Sequence, residues 1–255
     1  MLKLLLSFLV GGLYIAFVIR VSERVSAGVG GILAGMPTTV LISTFFIWWV
    51  QGTESVSAAI PMIVMGIGAS VLFLTVFLFG YRTNRYISFV AGAACWLVPL
   101  LYAIGTDLDL PLAILIGGCC LIPAFVYFRR VPNRKANSGI LSRRELLFRV
   151  CFAGSIIALA VSLSRLAGGQ WGGLITSFPA ASLSGLVLVI RKHGVDFAAS
   201  MARGVPYGIV CNIGFLATLS LLIPLIGFPG AILLSLCLSC LTAVLMYSLF
   251  LRSAD

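Results

Sequence analysis

Charge is what this chain has least of. Only 9% of its 255 residues are Asp, Glu, Lys or Arg, with 7 acids, 17 bases and a single histidine. A soluble domain carries about a quarter charged residues. The 61% apolar content and mean hydropathy of +1.16 therefore place the chain in lipid, where a spanning helix needs roughly 20 apolar residues. A β-barrel would show segments of ~10 residues alternating apolar and polar, whereas Leu110 to Phe128 is apolar on every side.

The single histidine, His193, lies in a loop between Lys192 and Gly194, which leaves no base for hydrolysis. Ser182-Leu183-Ser184-Gly185 resembles a rhomboid-type Gly-x-Ser-Gly without its leading glycine, and no span holds paired acids. No catalytic residues and no enzyme are expected. All seven cysteines sit in apolar stretches, and the CxxC of Cys237 and Cys240 has neither histidines nor a second pair beside it. No metal or other cofactor is expected. The net charge of +10 lies in short loops rather than in a basic patch interleaved with aromatics, so nucleic acid is not an expected partner.

What is present is a repeat. Shifted by 142 positions, the chain matches itself without a gap: Gly30-Gly31 on Gly172-Gly173, Pro37 on Pro179, Gly52 on Gly194, Glu54 on Asp196, Gly66-Ile67 on Gly208-Ile209 and Phe73-Leu74 on Phe215-Leu216. The register extends back through Gly12 on Gly154. Met1 to Ile19 has the outline of a signal peptide, but it takes part in the repeat and no A-x-A-like site follows, so it reads as a spanning helix.

Nine apolar segments can be marked off, at roughly 2–20, 27–50, 56–80, 86–105, 110–128, 146–164, 171–190, 197–222 and 228–251. The one real linker, Arg129 to Glu145, holds six bases and is cytoplasmic by the positive-inside rule. Counting outward puts Arg20, Arg24, Arg82, Arg85, Arg191, Lys192 and Arg252 inside and Asp107 and Asp109 outside, with only Lys3 and Arg165 opposed. The fold expected is an all-α polytopic membrane protein of about nine transmembrane helices, amino end outside and carboxyl end in the cytoplasm. Residues 1–105 form a first four-helix repeat, 106–145 a linking helix with the basic loop, and 146–255 a second repeat. The odd linking helix makes the repeats insert upside down relative to each other, as in many secondary transporters.

The best-matched stretch is Gly30 to Thr39 against Gly172 to Ala181. Gly31-xxx-Gly35 and Gly169-xxx-Gly173 are close-packing motifs. Pro37 and Pro179 each free a carbonyl one turn earlier, which in lipid survives only inside protein or along a cavity. Two readings stand side by side. In one, broken helices meet at the midplane and line a substrate path with Gly31, Gly35, Pro37, Thr38, Thr39, Ser43, Gly173, Ser177, Pro179, Ser182 and Ser184. In the other, the same residues pack two mildly kinked helices. Glu54 and Asp196 are either helix-end charges, worth ~0.3–1 kcal/mol, or alternately exposed proton or cation sites. Arg203 either snorkels or contacts an anionic group, with Asp196 two turns back as a possible partner.

Four helices per unit, with the stretch Gly30-Gly31-Ile32-Leu33-Ala34-Gly35-Met36-Pro37-Thr38 opening the second, resemble the small GlpM-like bacterial membrane proteins. The second copy departs from that pattern at Thr176 and Ser177. In architecture alone, the inverted halves resemble the drug/metabolite transporter superfamily. The first resemblance implies a fold and no substrate; the inverted duplication, together with the second, points to a cytoplasmic-membrane transporter or exporter of a small molecule or lipid-linked solute. The alternative is a non-transporting membrane subunit or scaffold that docks a partner or anionic lipid through Arg129 to Arg144. Membrane lipid and an unidentified small solute are the expected partners, with a homodimer left open.

Overall fold

The computed structural model describes residues 2–22, 37–132, 142–246 and 248. Among them the fold is entirely helical. In chain order the helices are α1 (Leu2–Ser22), α2 (Thr38–Gln51), α3 (Thr53–Gly80), α4 (Arg85–Ala103) and α5 (Leu110–Arg129), followed by α6 (Arg143–Ala167), α7 (Gly169–Thr176), α8 (Ala180–His193), α9 (Val195–Ala202) and α10 (Val205–Met246).

Local chemistry explains where they begin. The Asn84 side chain accepts from the N–H groups of Tyr86 and Ile87 to start α4, and Asp109 accepts from Leu112 to start α5. Ser142 and Glu145 close a reciprocal capping box on α6. Gly52 and Gly194, at φ +86 and +84, turn the chain into α3 and α9 in the left-handed region that side chains avoid.

Six described stretches are long and apolar enough to cross a membrane, while Lys3–Val18 within α1 and Thr38–Gln51 (α2) are shorter apolar stretches. One of the six, Gly169–His193, contains α7 and α8 with the break at Ser177–Pro179. Another, Val195–Met246, has 52 residues, far more than the roughly 20 one crossing needs. It doubles back at Gly227, whose φ of 71 is non-helical, so that Ser239 Oγ donates to the carbonyl of Cys211 at 3.1 Å. The outward faces carry exposed large apolar side chains, among them Val90, Val98, Leu115, Ile122, Leu233 and Leu241. Such a belt suits lipid.

The core is α3, buried along most of its length. It packs against α2, α4, α5, α7 and α10. Small residues bring the backbones together. A methyl group on Gly68 would lie 2.4 Å from the carbonyl oxygen of Gly117 on α5. Gly169 and Gly173 of α7 sit over Ser55 and Ala59 of α3 in the same way, at 2.3 and 2.6 Å from their carbonyls.

The loops sort into two ends. At one end, Lys3 Nζ donates to the Trp49 carbonyl at 3.0 Å, Ser164 Oγ donates to Gln51 at 2.8 Å, and the Gly105 N–H donates to Gln170 at 3.0 Å. At the other end, Lys192 Nζ donates to Glu145 at 2.8 Å, and Arg82 pairs with Asp196. Both α2 and α8 pack on α6. The last residue of α2 reaches the C-terminal part of α6, while Lys192 of α8 reaches its first turn. These two helices therefore run in opposite directions along α6.

Two of the expected segments are divided. The segment 171–190 is two helices, not one, because Pro179 has ψ +50 and α8 restarts after it. The segment 197–222 is also divided, at a turn of Arg203 and Gly204 between α9 and α10. Asp196 pairs with Arg82 in the α3–α4 loop, and Arg203 lies partly buried in its turn.

Candidate functional site

Each proline sits immediately before a helix. Pro37 (φ −70, ψ +44) precedes α2 and Pro179 (φ −78, ψ +50) precedes α8. In both, the proline carbonyl accepts the first helical bond, from Leu41 at 2.8 Å and Leu183 at 2.7 Å. Both helices have 14 residues, and their bounds lie 142 positions apart at each end. Neither start carries a side-chain cap.

The two helix starts border one cavity of about 40 Å³. Its walls include Thr38 and Ala180, Thr39 and Ala181, Val40 and Ser182, Ile67 and Ile209, and Ser70 and Asn212. Each of these is a pair 142 positions apart. The remaining wall includes Thr176, Ser177, Phe178 and Pro179 from the break between α7 and α8. Among the described residues the lining has hydroxyls and one carboxamide, and no charged side chain.

Two polar side chains there stand out. Asn212 is 4% exposed and Thr176 is 2% exposed, yet Asn212 Oδ1 and Thr176 Oγ1 have no hydrogen-bond partner. Ser70 and Ser177 are satisfied locally. Ser70 Oγ donates to the Ile67 carbonyl at 2.7 Å. Ser177 Oγ donates to the Leu174 carbonyl at 2.7 Å and accepts from the Trp96 indole Nε1–H at 3.3 Å. Gly66 makes room for that serine: a methyl group at Gly66 would fall 2.4 Å from Ser177 Cβ.

Of the residues expected along a path, Thr38, Thr39, Ser177, Pro179 and Ser182 line this cavity, and Pro37 is buried beside it, directly before Thr38. Gly173 instead packs α7 onto α3. Ser43 and Ser184 are buried on α2 and α8 outside the lining; Ser184 donates to the Ala181 carbonyl at 3.1 Å. Gly31 and Gly35 lie outside the described residues. The charged candidates stand apart from the cavity. Glu54 is exposed in the first turn of α3, Asp196 is at the start of α9, and Arg203 is in the turn after it.

Sequence reasoning missed Asn212, Thr176, Ser70 and Trp96 as members of the site. Asn212 was the detectable one, as the single carboxamide in the apolar run from Gly208 to Leu222. A polar group inside a membrane segment is itself a pointer to function. A second, wider depression of about 320 Å³ opens near Tyr81, Arg85 and Arg191.

Among known proteins, the family described as Protein of unknown function (DUF3147) matches residues 146–251, the stretch of α6 to α10. No curated protein and no solved structure matches the chain.

Proposed function

We propose that this chain is a secondary transporter or exporter of a small molecule or lipid-linked solute in the cytoplasmic membrane. It works by alternating access between two inverted four-helix halves joined by α5. The observation that carries this reading is the cavity whose walls include five residue pairs 142 positions apart. A packing scaffold would fill the seam between the two proline-bearing helix starts; a transporter keeps it open and polar. The opposed directions of α2 and α8 on α6 support the inversion, and a family match confined to residues 146–251 supports treating that half as a unit. Broken helices at membrane depth are tolerated where they line a cavity, and secondary transporters bind at such breaks between repeats.

The proposal keeps about nine crossings, with the chain reversing at Gly227. Arg82, Asp196, Glu145 and Lys192 then face the cytoplasm, and Lys3, Gln51 and Gln170 face outward.

The test uses accessibility, which needs no known substrate. In a variant with its seven cysteines replaced, Thr38→Cys is exposed to an impermeant maleimide in right-side-out and in inverted vesicles. Labelling from both sides is expected. Pro179→Leu, which joins α7 to α8, is expected to suppress labelling from one side while the protein still inserts. Labelling from a single side in the parent, or no effect of Pro179→Leu and Pro37→Leu, overturns the proposal.

A further inference from the structure

We infer that the cavity between Pro37 and Pro179 binds a small monovalent anion. The inference deepens the transport reading by naming the substrate class, and it rests on that reading for its purpose though not for its chemistry.

A helix start leaves N–H groups without an intrahelical acceptor and carries roughly half a positive elementary charge. Two such starts, α2 and α8, meet at this cavity from opposite directions, and no side chain caps either one. Together they present about one positive charge, in a wall that also includes apolar Ile67, Leu74 and Ile209. Thr176, Ser177 and Asn212 are buried there, and burial strengthens that field. A cation would meet two positive ends and no carboxylate, since the described lining holds none. A doubly charged anion would keep one charge uncompensated, because the described lining holds no Lys or Arg to balance it. A single negative charge is the match.

The second line of argument is independent of the dipoles. Asn212 and Thr176 are buried polar side chains with unpartnered oxygens on the same cavity. Orphaned polar atoms in a protein interior call for a ligand or water. The Thr176 hydroxyl donates once its rotor turns, and a half-turn of the Asn212 carboxamide exchanges Oδ1 for its NH₂. Both can therefore donate to the ligand that the helix starts attract. The volume of about 40 Å³ exceeds the ~10–15 Å³ that suffices to hold one water. That is room for a halide, nitrate or formate, or for the anionic group of a larger solute that enters no further.

The full-length protein, purified in detergent, is tested with chloride by ³⁵Cl NMR at fixed ionic strength, with gluconate as the filler. Excess line width is expected, competed by nitrate and formate and not by sulfate. Asn212→Leu and the near-isosteric Thr176→Val should each weaken chloride by about tenfold, as expected for losing one hydrogen bond to a charged group. Cys119→Ser, at an exposed position outside the cavity, should leave binding intact. No competed line broadening in the wild type overturns the inference. So does unchanged broadening in both variants when they elute as folded, monodisperse protein, or equal competition by sulfate. Chloride binding without alternating access at Thr38 keeps the anion site and removes the transporter; alternating access without anion binding does the reverse.

Discussion

Replacing Asn212 by leucine should make the protein more stable while disabling it. The side chain is 4% exposed, and its Oδ1 has no partner. An unsatisfied buried polar atom costs about 1–3 kcal/mol. Leucine removes that penalty and nearly preserves the volume, so small packing losses offset only part of the gain. A net stabilisation of about 1–2 kcal/mol is expected in buffer free of small anions, shifting the unfolding equilibrium by roughly tenfold. The paired position is the control. Ser70 already bonds the Ile67 carbonyl at 2.7 Å, so Ser70→Ala should destabilise slightly, by about 0.5–1.5 kcal/mol. Both changes are read by SDS-induced unfolding in mixed micelles, followed by tryptophan fluorescence. If Asn212→Leu lowers stability by more than about 1 kcal/mol, the carboxamide is a structural bond and the reasoning about an empty polar site fails.

Gly68→Val places a side chain against backbone that cannot retreat, with Gly117 O at 2.4 Å and Gly117 Cα at 2.5 Å from the new Cβ. Overpacking of this kind typically costs about 1–3 kcal/mol or more, so the yield of monodisperse protein should fall sharply; wild-type elution and melting would refute the close packing of α3 on α5. Single cysteines at Asp107 and Arg82, in the cysteine-free background, should label from opposite faces of the membrane. Labelling from the same face would refute the sorting of loops into two ends.

The parts of this fold that could be read in the chain are those written twice. Pro37 and Pro179, and Gly52 and Gly194, bound α2 and α8 at matching positions because proline suits a helix start and glycine the left-handed turn after it. Gly169 and Gly173 announced a close contact, and α3 supplies it through Ser55 and Ala59. What diverged between the copies was harder to see. Pro61 lies inside the unbroken α3, while its counterpart Arg203 lies in a turn beside Gly204. Apolar periodicity cannot register that difference, since both neighbourhoods are apolar. Asn212 escaped for a related reason: it aligns with Ser70, and matching by identity passes over a substitution even where it adds a buried carboxamide. The charges drew attention instead, because charge is rare here. Asp196 proved to hold Arg82 at one end of the bundle.

The distribution of helix caps argues against a purely structural role for the cavity. Asn84, Asp109 and Ser142 cap α4, α5 and α6 with side chains, and all three are exposed, where water could have served the same N–H groups. Pro37 and Pro179 are buried, water is scarcer around them, and the helix starts behind them have no cap. A scaffold under pressure only for stability would continue the helix through the break, or place Ser or Asp there for about 1 kcal/mol. Two helix starts without side-chain caps face a cavity on which Asn212 Oδ1 and Thr176 Oγ1 have no partner, the arrangement on which the anion proposal rests.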